Sequence, residues 1–485
     1  MNDTPKLTMA RWDEARFLDV RREVLAQWPT GARVDLEEGV AYQKAIPDAK
    51  RVAWKLAQAQ AQNRTLVQPR AGVAGLDEHI ALLRTLERAG ADFLPTTVDS
   101  FTRECRYPEA QRGLEQSVAA GRSLLNGFPM VNHGVEATRK VVESVNLPLF
   151  ARTAAPDCRL THEVAIAAGY TSITAGPMVF SLGYAKDYPL EKTIESWQYV
   201  YRLVGWYAER GVTLNVEHYL AISTMVPHAI SLACAILDSL IAAAQGVRDI
   251  TLGFGQQCHL AQDAAALRVC ARLSKHYLDV LGMPGVALST LMTQWMGGFP
   301  PDEGQAYGVI CMGAVAAHMG GATDMVTKSA LEAIGIPTPE ANASGVSASK
   351  MVLRMLADQK LTPNPEIAQE EAILEAEVRA IVDRALELGD GDATAAVVRA
   401  IRAGVIDVPF SPQRANANKA LPARDWRGAV RWMRPGNVPV PQDIREQHEA
   451  ALARRLEGSP QRPPWELLLD DVNAISKGVL LETAG

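Results

Sequence analysis

The chain has 485 residues, 48% of them hydrophobic and 21% charged, and a net charge of -6. That composition fits a globular protein with a large core, long enough for one barrel-sized domain with additions. The acidic balance excludes a nucleic-acid footprint. Six scattered cysteines (Cys105, Cys158, Cys234, Cys258, Cys270, Cys311) with no CxxC pair exclude a structural zinc site and point to a reducing compartment.

The opening MNDTPKLTMARWDEARF has early acids and no apolar h-region, so no signal peptide is expected and the expected location is the cytoplasm. Residues 1–64 read as a helical segment, with apolar residues at helical spacing around Trp12, Phe17, Val20 and Leu25. From residue 65 to about 340 short apolar or β-branched runs alternate with longer amphipathic stretches. The strand candidates are 65–69, 92–96, 123–128, 147–151, 171–174, 213–217, 249–254, 286–291 and 323–327. Several intervening helices end on a glycine just before the next strand, at Gly90, Gly121, Gly169, Gly211 and Gly246, which is C-cap chemistry.

Repeated βα units of this kind predict an α/β protein, a (β/α)8 TIM-type barrel, with one strand candidate too many. A doubly wound open sheet is the alternative, but PRAGVAG does not match its G-x-G-x-x-G phosphate loop. Two apolar stretches, 226–246 and 307–322, carry His228, Asp238 and His318 and read as buried helices rather than membrane spans. Residues 341–485 read as an appendage packed on the barrel. It has a charged amphipathic helix at 366–389, then irregular Pro- and Asn-rich stretches at 408–426 and 434–443 that carry Phe410, Trp426 and Trp432.

Barrel chemistry sits where strands end and βα loops begin. Arg70 follows the first strand candidate, Arg103 lies just beyond the second, and Arg152 ends LPLFAR. Three guanidinium groups at one mouth predict an anion, most naturally a small dicarboxylate gripped in bidentate fashion. Each arginine alone reads more readily as a surface ion pair; three at corresponding strand ends shift the reading to an anion site. Glu217 is the best acidic candidate for a buried role, with a salt bridge to a mouth arginine as the plain alternative. His218 is a candidate for the mouth lining, and His133 reads as a turn residue. No H-E-x-x-H, G-x-S-x-G, P-loop or carboxylate metal motif is present, so a cofactor is expected to supply the reactivity.

TLVQPRAGVAGLDEH, GRSLLNGFPMVNHGV, QWMGGFPPDEGQAYGV and EAIGIPTPEAN, with PFSPQRANANK and GNVPV near the end, closely resemble the large (epsilon) chains of the glutamate mutase, or methylaspartate mutase, family. The resemblance spans nearly the whole chain. It implies a (β/α)8 barrel that works with adenosylcobalamin and a small cobalamin-binding chain, rearranging L-glutamate and threo-3-methyl-L-aspartate by radical chemistry. By position it implies that Arg70, Arg103 and Arg152 hold substrate carboxylates. It also implies that Gly72, Asn126, Gly183, Phe299, Lys328, Glu332 and Ile336 line the cofactor, with Lys328 and Glu332 on the ribose. The cobalt ligand is expected from the small chain's D-x-H-x-x-G motif, because Asp77-Glu78-His79 here lacks the glycine. A homodimer of large chains and no nucleic-acid or membrane partner are expected.

Departures from the family pattern cluster on the amine side. Thr174 stands where the family has an ammonium-gripping glutamate, Phe180 where it has a tyrosine, and Thr153 where it has a histidine; Tyr184 is kept. The resemblance therefore leaves open the same chemistry on an unaminated dicarboxylate of the 2-oxo, 2-hydroxy or 2-methylene glutarate type. A cofactor-independent dicarboxylate lyase and a non-catalytic homologue are the remaining alternatives.

Overall fold

The computed structural model describes residues 7–220, 224–333, 338–359, 364–457 and 463–481. Ile336 lies outside the described residues. Three helices lead in: α1 (Glu14–Leu25), α2 (Leu36–Ala45) and α3 (Val52–Ala61). Eight parallel strands follow: β1 (Leu66–Gln68), β2 (Leu94–Thr97), β3 (Leu149–Arg152), β4 (Ser172–Thr174), β5 (Asn215–Leu220), β6 (Asp249–Gly255), β7 (Ala287–Thr293) and β8 (Asp324–Val326). They pair in the order β1-β8-β7-β6-β5-β4-β3-β2, a nearly closed (β/α)8 barrel. Its helices are α4 (Leu76–Arg88), α5 (Ser100–Arg103), α6 (Tyr107–Ala120), α7 (Met130–Glu143), α8 (Arg159–Ala168), α9 (Pro177–Gly183), α10 (Leu190–Glu209), α11 (His228–Ala244), α12 (Leu260–Val280), α13 (Glu303–Gly320) and α14 (Pro339–Leu356).

The surplus strand candidate is 123–128. It forms no barrel strand: Phe128 makes one isolated parallel bridge with Val98 at the end of β2, and the segment runs straight into α7. Leu124 is exposed, and Leu125 and Phe128 are buried by packing rather than by a ladder; Phe128 is stacked between His79 and His133, with ring centroids 4.7 and 4.4 Å away. The seam between β1 and β2 is the open one. Two backbone bonds cross it, Asp92 N to Val67 O at 2.9 Å and Thr97 N to Ala71 O at 2.6 Å.

The five glycines that end helices all take positive φ, from +60° at Gly121 to +107° at Gly169, a conformation that lets the chain leave the helix and enter the next strand. The N-terminal end of the barrel is stoppered by α3, whose Val52, Leu56 and Ala59 pack on Leu66, Phe93 and Phe150. The apolar stretch at 226–246 is explained by α11, every residue of which is buried between the sheet and outer helices except its last. Among the described residues no helix is long and apolar enough to cross a membrane.

Beyond the barrel, α15 (Pro365–Leu388) lies across α11 and α12, and α16 (Ala393–Ala403) packs beside it. The stretch read as irregular contains an antiparallel hairpin, β9 (Leu421–Arg424) and β10 (Val430–Arg434), too short and Pro-interrupted to show as alternation. Of the aromatic residues there, Trp432 is buried, Trp426 lies between the guanidinium groups of Arg427 and Arg454, and Phe410 is exposed rather than packed.

Candidate active site

The alternation of a parallel strand sends every second side chain to one face. Here that face carries charge at the C-terminal end of the barrel. Arg152, the last residue of β3, is only 6% exposed. Its Nη2 donates to Gln68 Oε1 on β1 at 2.7 Å and to Glu217 Oε1 on β5 at 3.0 Å. Its guanidinium carbon lies 4.5 Å from the Tyr219 ring centroid. Nε and Nη1 are buried and have no hydrogen-bond partner. Buried donors of this kind are costly without a partner, and a charged donor pair most of all.

Arg70 follows β1. Burial works against its charge, but Tyr219, the Glu332 carboxylate and Tyr184 outweigh that and raise its pKa, which brings Tyr219 into play for both Arg70 and Arg152. Arg103 comes from α5, a single turn set by Asp99, whose carboxylate caps it by accepting from Phe101 N at 3.0 Å and Thr102 N at 3.1 Å. Arg103 Nε is also buried without a partner.

A cavity of about 280 Å3 opens here, and its wall includes Arg70, Gly72, Arg103, Asn126, Glu332 and Asn342. Two of the three arginines expected to hold an anion and three of the residues expected beside the cofactor thus share one space, while Arg152 and Lys328 lie off its wall. Glu332 bonds Lys328 Nζ at 2.9 Å. Lys328 is 3% exposed, and burial pushes it down to about 8, with Glu332 pulling up and Arg70 and Arg152 pushing further down. Gly72 has a packing reason to lack a side chain: a Cβ there would lie 2.4 Å from Thr97 O.

The remaining expected residues are placed unevenly. Thr174 pairs in register with Arg152 and Glu217, and Thr153 N donates to Thr174 O at 3.3 Å. The Thr153 hydroxyl is buried and unpartnered, whereas the buried Thr174 hydroxyl bonds the Glu217 carboxylate and helps to hold its charge. Phe180 is buried in α9, Gly183 ends that helix, and Tyr184 is exposed just after it. Phe299 does not reach the cavity wall. It is buried with Trp295, Cys258 and Ile310 behind Ala330, in the turn that carries Glu332. His218 does not line the mouth either; it is fully buried, with Nδ1 4.0 Å from Asp238 Oδ2 and its ring edge-on to Tyr201. His133 sits in α7 with Nε2 2.9 Å from Ala74 O. Glu217 is in a salt bridge to Arg152, the plain alternative weighed for it.

Two residues escaped the sequence reading. Gln68 and Asp324 are fully buried, and Gln68 Nε2 donates to Glu217 Oε2 at 2.8 Å and to Asp324 Oδ2 at 2.5 Å. Burial pushes Glu217 up, Arg152 pulling the other way, and Asp324 goes well up through burial and the nearby Glu217. A polar residue inside a strand of a sheet covered on both faces was the available signal, because such strands are otherwise apolar runs.

Residues 46–484 match the family model described as methylaspartate mutase E chain (MutE). The chain belongs to that family. It is 49% identical to the glutamate mutase epsilon subunit of Desulfitobacterium hafniense (strain Y51), over 98% of this chain and 99% of that one. It is 45% identical to the epsilon subunits of Treponema denticola and of Yersinia enterocolitica, over 96% of this chain and 97% of each. The chain is accordingly an isomerase of the mutase kind.

Proposed function

We propose that this is the large, catalytic chain of an adenosylcobalamin-dependent carbon-skeleton mutase that rearranges a small dicarboxylate, with L-glutamate and threo-3-methyl-L-aspartate as the family's pair. One observation carries the reading: a single cavity is walled at once by Arg70 and Arg103 and by Asn126 and Glu332. A substrate anion and a nucleoside can meet only in such a space.

The residues fit the cofactor's adenosyl end. Glu332, Asn126 and Asn342 offer a carboxylate and two amides to one cavity, the complement of sugar hydroxyls and a purine edge. Lys328 and Glu332 would hold the ribose, and a small cobalamin-binding chain would bring the cobalt and a histidine to ligate it. When bound, adenosylcobalamin supplies the carbon radical that starts the rearrangement. Every other task falls to this chain. Arg70 and Arg103 bind one carboxylate end, Arg152 offers Nε and Nη1 to the other, and Tyr219 lies beside both grips. With both ends pinned, the substrate carbon to be attacked is held still and water is kept from it. A cofactor-independent lyase has no use for the Glu332 wall. A homodimer of large chains completes the proposed assembly.

A second reading concerns the substrate. The carboxylates of Glu217 and Asp324 are already bonded to Arg152 and Gln68, and the Thr174 hydroxyl is turned to Glu217 as well. That favours an unaminated dicarboxylate of the 2-oxo, 2-hydroxy or 2-methylene glutarate type over an ammonium. Electron paramagnetic resonance tests both readings. The chain, a cognate small chain and adenosylcobalamin are frozen with L-glutamate, 3-methylaspartate, 2-oxoglutarate or 2-methyleneglutarate in separate tubes. A substrate-dependent radical signal with either amino acid establishes the family's own substrates. A signal only with an unaminated acid establishes the second reading, and silence in all four tubes rejects radical chemistry on these acids.

A further inference from the structure

Arg152 has more holding it than it has to offer. Both hydrogens of Nη2 are used, one on Gln68 and one on Glu217, and Tyr219 covers one face of the guanidinium. Nε and Nη1 are buried and unpartnered, and they are the donors that the proposed grip leaves for a substrate carboxylate. The direction in which they aim is therefore set by what grips Nη2.

The Gln68 amide can sit only one way. Its carbonyl must face Arg152, because Arg152 has no acceptor, and its two N–H groups then face Glu217 and Asp324, which are acceptors. Asp324 is itself anchored: Oδ1 accepts from Met325 N at 2.7 Å, a bond to the β8 backbone. A chain of contacts thus runs from β8 through Asp324 and Gln68 on β1 to Arg152 on β3, with Glu217 on β5 bracing it. It spans the open β1/β2 seam from the inside. None of these acceptors is needed for folding a barrel, whose interior is ordinarily filled by Val, Ile and Leu.

We infer that Gln68 and Asp324 are positioning residues for the substrate anion, acting through Arg152: they fix which way its free N–H groups point. The inference rests on the proposed role of Arg152 as a carboxylate grip. Neither residue touches the ligand, so each acts by geometry, and a misplacement of about 1 Å at such a grip can cost on the order of 100-fold.

The test is equilibrium dialysis of the assembled complex of large chain, small chain and adenosylcobalamin, with labelled L-glutamate and, in parallel, labelled 2-oxoglutarate. Thermal unfolding of each variant is followed alongside. Gln68→Met is expected to weaken binding about 100-fold and Asp324→Ala roughly tenfold, with the unfolding midpoint changed by no more than a few degrees. Because both act along one path, the double variant should bind no more than about twofold worse than Gln68→Met alone. Should Gln68→Met not fold, Asp324→Asn replaces it, since it sets an amide donor against the Gln68 amide; a loss of roughly tenfold is expected. Single variants that bind within about twofold of the wild type, or losses that multiply in the double variant, would overturn the inference. A wild-type complex that binds neither acid would instead overturn the anion-grip reading itself, and this inference with it.

Discussion

Near the N-terminal end of the barrel, Asn215 Nδ2 donates to Asp249 at 2.6 Å and to Thr251 at 2.9 Å. Ser172 donates to Asn215 at 2.7 Å, and Thr251 bonds Ser289 at 2.7 Å. Near the C-terminal end, Gln68, Arg152, Glu217 and Asp324 make a network just as buried, but Arg152 Nε and Nη1 and the hydroxyl of Thr153 have no partner. The two ends have similar polarity and opposite accounts of it. Closed hydrogen bonding marks scaffold, and open, charged, buried donors mark a place for a ligand. The sealing of one end by α3 and the cavity at the other agree with that division.

The strongest way to break this comparison is Arg152→Leu. Removing one partner of a buried, hydrogen-bonded charge pair costs about 2–5 kcal/mol, so dicarboxylate kcat/KM should fall roughly 30- to several-thousand-fold. An unchanged kcat/KM in the assembled enzyme would remove the grip from Arg152. Next comes Thr174→Glu, which puts a carboxylate where the upper end has a neutral hydroxyl. It should shift preference toward L-glutamate and away from 2-oxoglutarate by about 30-fold or more. Competition between the two acids reads this directly, and no shift would count against the unaminated substrate.

At the closed end, Asn215→Ala should cost about 1–3 kcal/mol in urea unfolding, because it strands partners, and leave KM alone. A raised KM would blur the distinction between the two ends. The smallest expected effect is titration of Lys328, held down at about 8 by burial against an ordinary 10.5. Below about 8 it is charged and paired with Glu332; above, the folded protein has released a proton that the unfolded chain keeps until about 10.5. Activity should therefore fall by up to about tenfold per pH unit above that point. Over the same window the contribution of this group to folding stability rises rather than falls. Lys328→Arg should abolish the alkaline step in the pH profile of kcat/KM.

Much of the fold was legible because strands buried on both faces read as apolar runs and the glycines at 90, 121, 169, 211 and 246 punctuate them. The segment at 123–128 misled for the same reason: periodicity reports burial, and Phe128 is buried by two histidine rings rather than by a ladder. At the site, arginines at strand ends were visible because position along a βα unit is itself a signal. Gln68 and Asp324 left only a faint one, a single polar residue in a three-residue apolar strand, and its meaning depends on which atoms of its neighbours remain unbonded. Phe299, expected by resemblance beside the cofactor, is buried with Trp295, Cys258 and Ile310, a packing that periodicity alone does not reveal.

The open seam gives the barrel wall the mechanics of a split ring. Seven junctions are full ladders, and the eighth is spanned on its outer edge by two backbone bonds. Arg70 sits on one lip, and Arg103 and Arg152 on the arc that begins at the other. A ligand charged at both ends and held by all three arginines would then act as a clasp, tying one lip to the other across the seam.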